Sequence, residues 1–199
     1  MNDRPIDIHT HRPTAAQTIR CVGIHPWQAA ATDALPATFE EAAAAADAVG
    51  EIGLDFARRE VDPARQLRLF RAQLDTAERL GKPVVLHVVR AFEEAMRELR
   101  GRRLAGVILH GFVGSKEQAA RAVAAGYFLS FGARTAASKR TIEALRATPL
   151  DRLFVETDDS PIPIERILAQ VADLRGVPPE TLSQAVRTNY ERLFGTQHE

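Results

Sequence analysis

Apolar residues gather into seven short runs along the chain, at 6–11, 21–24, 48–54, 84–89, 105–110, 127–131 and 152–156. Most are near-continuously apolar rather than alternating, the pattern of parallel strands covered on their outer face. Between them the period lengthens to that of a helix. Leu67, Phe70, Leu74, Ala77 and Leu80 recur at helical spacing behind Asp62-Pro63, an N-cap followed by a first-turn proline, and Gly81 marks the stop. Ser115-Lys116-Glu117-Gln118 has the form of a capping box, with Gly126 closing the helix. Segments 92–99 and 142–147 fill two further crossovers. Segments 164–174 and 179–194 predict two closing helices, broken apart at 175–178. Strand and helix alternate, so the chain is expected to be α/β, of the (β/α) barrel kind.

The strand count falls one short of the eight in a complete TIM barrel. Only the nine residues 12–20 join the first run to the second, whereas a parallel crossover with its helix needs ~10–12 at the least. The expectation is therefore a reduced or distorted TIM barrel of about seven parallel strands.

Composition narrows the class. With 199 residues, 45% of them apolar, the chain has enough for one sizeable core. No composition break divides it, so a single domain over 1–199 is expected, as a monomer. Lysine plus arginine equals aspartate plus glutamate at 26 each, so no global field draws the protein to a polyanion and any such binding must be local. No apolar run reaches the ~18–20 residues of a membrane span, and the opening residues lack the layout of a signal peptide. The lone Cys21 excludes an internal disulfide and fits a reducing cytoplasm.

Chemistry collects where these runs end. In a (β/α) barrel the site lies at the C-terminal ends of the strands. Here the first run ends in His9 and His11, which share one face of a strand, and the second leads into His25-Pro26-Trp27. The third carries Glu51 with Asp55 after it, the fourth carries His87, and the fifth ends at His110. The last leads into Glu156-Thr157-Asp158-Asp159. Singly, each has a plain structural reading: His110 as a strand end, His198 as part of a tail. A buried His87 or Glu51 is costly unless paired or ligated, however. Imidazoles and carboxylates on separate strands of one barrel point to a metal site, and a carboxylate between two histidine-bearing halves is placed to bridge two ions. Trp27 is a candidate for stacking on a base, though packing on a barrel rim would explain it equally. Arg58, Arg59, Arg90 and Arg134 follow strand ends and are candidate phosphate contacts. Cys21, inside a strand, reads as a small core residue.

The ordered set Asp7-Ile-His-Thr-His11, Gly23-Ile-His-Pro26, Gly50-Glu-Ile-Gly-Leu-Asp55, His87, His110-Gly-Phe-Val-Gly-Ser115 and Glu156-Thr-Asp158 resembles the motifs of the TatD family of metal-dependent DNases. Asn189-Tyr-Glu-Arg-Leu-Phe194 is similar to that family's closing helix. The resemblance implies a distorted TIM barrel of the metallo-dependent hydrolase type. It implies two divalent metal ions, with His9, His11 and Asp158 on one, His87 and His110 on the other, and Glu51 bridging. Asp158 would position or deprotonate the attacking water, and His25 would lie near the substrate phosphate. The implied activity is hydrolysis of DNA as a 3′-to-5′ exonuclease, acting on single strands or 3′ ends. The mixed nitrogen and oxygen donors suit Mg, Mn, Zn or Fe.

Three departures concern the substrate. The segment between the first two motifs is short. Val88-Val89-Arg90 replaces the family's Ser/Cys-Arg-Asp and displaces the phosphate-contacting arginine to Arg90. The loop after Glu156-Thr-Asp158 is cut to 159–164. Two alternatives stay open on sequence: hydrolysis of a small phosphoester or amide on the same metal site, and a metal-binding scaffold that has lost catalysis.

Overall fold

The computed structural model describes residues 4–12, 16, 18–32 and 34–195, so His198 lies outside the described residues. The chain divides into two compact units, residues 20–109 and residues 1–19 with 110–199. In the first, strands β1 (Cys21–Val22), β2 (Ala48–Asp55), β3 (Val84–Val89) and β4 (Val107–Leu109) pair in chain order, each parallel to the next. A 3-10 turn at Pro26–Ala30 and helix α1 (Phe39–Ala45) join β1 to β2, α2 (Pro63–Leu80) joins β2 to β3, and α3 (Phe92–Leu99) joins β3 to β4. The strands are mostly apolar because both faces are covered: Val49, Ile52, Leu54, Val84, Val85 and Leu86 are fully buried, as are Leu74 and Ala77 of α2.

The helix α2 begins and ends as its sequence predicts. The Asp62 side chain accepts from Ala64 N, Pro63 takes the first helical position, and Gly81 closes it in the left-handed conformation at φ 62°. The second strand is shorter than expected, ending at Val22 rather than residue 24. Ile24 is held instead by a helix side chain: its N–H donates to Gln73 Oε1 at 2.6 Å and its carbonyl accepts from Gln73 Nε2 at 3.1 Å. One turn-pair earlier on α2, Gln66 does the same for Asp55, accepting from its N–H at 2.7 Å and donating to its carbonyl at 3.0 Å. Two buried glutamines thus finish two strand ends that carry chemistry.

Glycine sets the spacing around β2. A Cβ on Gly23 would stand 2.6 Å from the Gly50 carbonyl carbon, and one on Gly53 would stand 2.0 Å from the His87 carbonyl oxygen. Gly53 also has φ 147°, a conformation side chains rarely adopt. The Gly-Glu-Ile-Gly-Leu-Asp motif therefore has a steric reason: backbone passes backbone on either side of Glu51.

In the second unit, β5 (Phe128–Phe131) and β6 (Leu153–Val155) pair in parallel. Helix α4 (Lys116–Ala124) precedes β5, α5 (Lys139–Ala147) lies between β5 and β6, and α6 (Ile164–Arg175) and α7 (Pro179–Phe194) follow β6, with short 3-10 turns at Ala133–Ala137 and Leu150–Arg152. The first apolar run, 6–11, lies beside β6 but is not a continuous strand. Ile8 N donates to Val155 O at 3.1 Å, Asp158 N to His9 O at 3.0 Å and His11 N to Asp158 O at 3.0 Å; Thr10 and Asp158 form an isolated parallel bridge. The seven predicted runs are thus six strands and one bridged segment among the described residues. Helix α5 starts three residues before the expected 142, because Ser138 caps it by accepting from Thr141 N. From α7, Asn189 Nδ2 donates to the carbonyls of Leu150 and Leu153 and pins the entry to β6.

Candidate metal centre

Within the unit that holds β6, the bonds between segment 6–11 and β6 bring His9 and Asp158 together. His9, His110 and Asp158 each offer a donor atom, and the three lie within 4.8 Å of one another. The His9 and His110 rings are 4.4 Å apart, and His11 stands 4.9 Å from His9 with Nε2 3.5 Å from Asp158 Oδ1. Sequence alternation predicts one shared face for His9 and His11. Both do reach Asp158's neighbourhood, but His9 is buried and the His11 side chain is 56% exposed. Asp158 adopts φ 54°, unusual for a residue with a side chain.

Carboxylates behind these donors hold them. Glu156 is fully buried; its Oε1 accepts from Gly111 N at 2.6 Å and lies 3.4 Å from His110 Nδ1. Burial would raise the Glu156 carboxyl, but the neighbouring His110 and His9 outweigh it and keep the group below its usual value. Asp7, also fully buried, accepts from Thr157 N at 2.9 Å and Thr157 Oγ1 at 2.7 Å. Burial lifts Asp7 to about 6 against those bonds. Asp158 is raised as well, first by burial, with Glu156 adding to it and His110 and His9 opposing.

In the unit that holds β2 and β3, His25, Glu51 and His87 form a second donor group within 4.8 Å. Glu51 Oε1 lies 2.8 Å from His87 Nδ1 and 3.2 Å from His25 Nε2. The His25 and His87 rings are 4.5 Å apart. His25 is also the N-cap of the 3-10 turn, its Nδ1 accepting from Trp27 N at 3.3 Å. This cap turns Trp27 back toward β2, where Nε1 donates to Asp55 Oδ2 at 2.7 Å. The indole is 47% exposed, and the Arg58 guanidinium lies over its ring at 3.9 Å. A cation over an exposed ring contributes about 0.5–1 kcal/mol. Arg90, with φ 53°, is exposed at the end of β3. Arg134 pairs at 3.2 Å with Asp159 on the rim of an open pocket lined by Gly111, Phe112, Gly132, Thr135 and Asp158. Cys21 on β1 is partly buried; desolvation, with Asp47 and Glu51 nearby, pushes its thiol up to about 12.

Both donor groups suit a divalent cation. Ligands at the ~2.0–2.2 Å bond lengths of nitrogen and carboxylate oxygen stand about 3–3.5 Å from each other around a tetrahedral ion, and the contacts at Glu51 and Asp158 fall at or just below that range. The donors are imidazole and carboxylate without thiolate, a set open to Mg, Mn, Zn or Fe. Sequence reasoning counts Asp55 and Glu156 among the strand-end acids without giving either a particular role, and gives none to Asp7. The available signal was that each is an acid at or beside the end of an apolar run.

Parallel strands with helical crossovers, carrying imidazoles and carboxylates at the strand ends, define a metal-dependent hydrolase of the α/β, TIM-barrel type. The family model for TatD related DNase matches residues 7–195, and the chain belongs to that family. Among curated relatives, the 3′-5′ ssDNA/RNA exonuclease TatD of Escherichia fergusonii is 32% identical over 202 residues, covering 87% of this chain and 76% of that protein. An uncharacterized metal-dependent hydrolase, YcfH of Escherichia coli, is 32% identical over 166 residues, covering 74% of this chain and 62% of that protein. Among solved structures, YJJV, a TATD homolog from Escherichia coli, superposes with a TM-score of 0.80 at 28% identity, covering 90% of this chain and 77% of that one. A TatD family hydrolase from Entamoeba histolytica superposes at 0.77 with 16% identity, covering 92% and 77%, a likeness of fold alone.

Proposed function

We propose that this protein is a metal-dependent phosphodiesterase that removes nucleotides from single-stranded nucleic acid, of the 3′-to-5′ exonuclease type. The observation that carries the reading is that in each unit strand-end imidazoles converge on one carboxylate, Asp158 in one and Glu51 in the other. We assign His9, His11, His110 and Asp158 to a divalent ion in one unit and His25, Glu51 and His87 to a divalent ion in the other. Bound ions supply Lewis acidity at the phosphate and lower the pKa of water.

The chain's own residues then divide the remaining work. Asp158 orients the attacking water and accepts its proton. The water oxygen bonds to phosphorus and the bond to the leaving nucleotide breaks. Glu156 and Asp7 hold His110 and the Thr157 backbone so that neither donor nor base drifts. His25 and Arg90 meet substrate phosphate, and Trp27 offers its exposed ring to a base.

The test is a time course on 3′-labelled and 5′-labelled single-stranded DNA with Mg²⁺ or Mn²⁺, with EDTA, and with Asp158→Asn. Shortening from the 3′ end that needs both metal and Asp158 is expected. Bound metal is measured alongside, and Glu51→Gln is expected to lower it. Intact DNA in the presence of demonstrably bound metal would sink the nuclease reading. Turnover of a small phosphoester in the same preparation would redirect it.

A further inference from the structure

Asp55 ends β2 and is buried, with its backbone gripped on both sides by Gln66. Its Oδ1 accepts from Ala57 N at 3.0 Å. Its Oδ2 accepts from Trp27 Nε1 at 2.7 Å and lies 3.2 Å from His87 Nε2. One carboxylate oxygen thus joins an exposed indole to an imidazole whose other nitrogen stands 2.8 Å from Glu51. Ionised, Asp55 has only acceptors to offer.

That arrangement is costly for a mere packing role. A tryptophan on a surface turn can leave its N–H to water, and an exposed ring gains little from being fixed. A fixed ring is what base stacking requires, since a platform ordered beforehand loses less freedom when the base arrives. The T-shaped contacts of Trp27 with His25 at 4.6 Å and His87 at 6.0 Å place the platform beside the donor group. We propose that Asp55 is a positioning residue: it holds the Trp27 indole as the stacking platform for a nucleobase of single-stranded nucleic acid, in fixed register with His87. The proposal rests on the nuclease reading and specifies how that site meets its substrate.

Trp27 is the chain's one tryptophan, so its emission reports on the platform alone. The probe is a short single-stranded DNA with phosphorothioate linkages, titrated into the metal-loaded protein while cleavage of ordinary DNA is followed in parallel. Saturable quenching of Trp27 is expected in the wild type. Asp55→Asn turns an acceptor toward Trp27 N–H and His87 into an amide. It is expected to weaken binding about tenfold, within the range of one aromatic–base stack, with KM rising more than kcat falls. Trp27→Phe keeps a ring but loses the anchor, and its affinity is read by anisotropy of a labelled strand. It is expected to lose several-fold. The double variant is expected to bind no more weakly than Asp55→Asn alone, because both changes break one bond.

Unchanged Trp27 emission at saturating strand while DNA is still cleaved would overturn the proposal and leave the nuclease reading standing. Additive losses in the double variant would overturn it too. If Asp55→Asn does not fold, Trp27→Phe decides: wild-type affinity would overturn the platform. A protein that neither binds nor cleaves DNA overturns both readings.

Discussion

Gly53 shows how narrowly single residues constrain this site. It has φ 147°, and an added Cβ would meet the His87 carbonyl oxygen at 2.0 Å. Gly53→Ala must move the backbone that carries a proposed ligand. The conformational strain alone is about 1–3 kcal/mol, so the urea midpoint is expected to fall by at least that equivalent, with bound metal falling in step. A variant with wild-type midpoint would mean that β3 yields freely there. Histidines in apolar runs were readable from sequence because an imidazole has few reasons to sit among valines and leucines. His9, His110 and Asp158 lie together within one unit, and His25 joins Glu51 and His87 within the other. Asp55 was harder: its partner is Trp27, 28 residues earlier, and no spacing rule within one strand links an acid to a distant indole. Glu156 and Asp7 escaped for the same reason, their roles being set by Gly111 and Thr157 across the fold.

Helices and strands differ in what their sequences disclose. The helix α2 was legible almost to the residue, since caps at Asp62 and Gly81 are local signals, and Phe92–Leu99 and Pro179–Phe194 stand as read. Strands of two or three residues leave almost no period to detect. The ends of β1 and β2 are completed by Gln73 and Gln66 of α2, whose polar side chains look like surface positions until the fold buries them. Capping can be tested directly on α4, where Ser115 Oγ accepts from Gln118 N at 3.3 Å and Gln118 Oε1 accepts from Ser115 N at 3.0 Å. Ser115→Ala is expected to cost about 1 kcal/mol in denaturant unfolding. No change would show that the box adds nothing to the packing of α4.

For the whole molecule, the balance of 26 cations and 26 acids separates the two substrate classes left open by sequence. A single strand held through two to four phosphates should give a log–log salt slope of roughly −1.5 to −3, measured by anisotropy of a labelled oligonucleotide in the Asp158→Asn variant. A slope near zero would favour a small ester instead. The α/β class and the reduced strand number were legible because crossover length is a count along the chain. No helix among the described residues is long and apolar enough to cross a membrane. One consequence follows from the high pKa of Cys21. At neutral pH the chain's sole sulfhydryl stays protonated, and oxidation follows thiolate character. Peroxide and air therefore find little thiolate to attack here. Reducing agents, which themselves chelate transition metals, can be left out when the protein is handled.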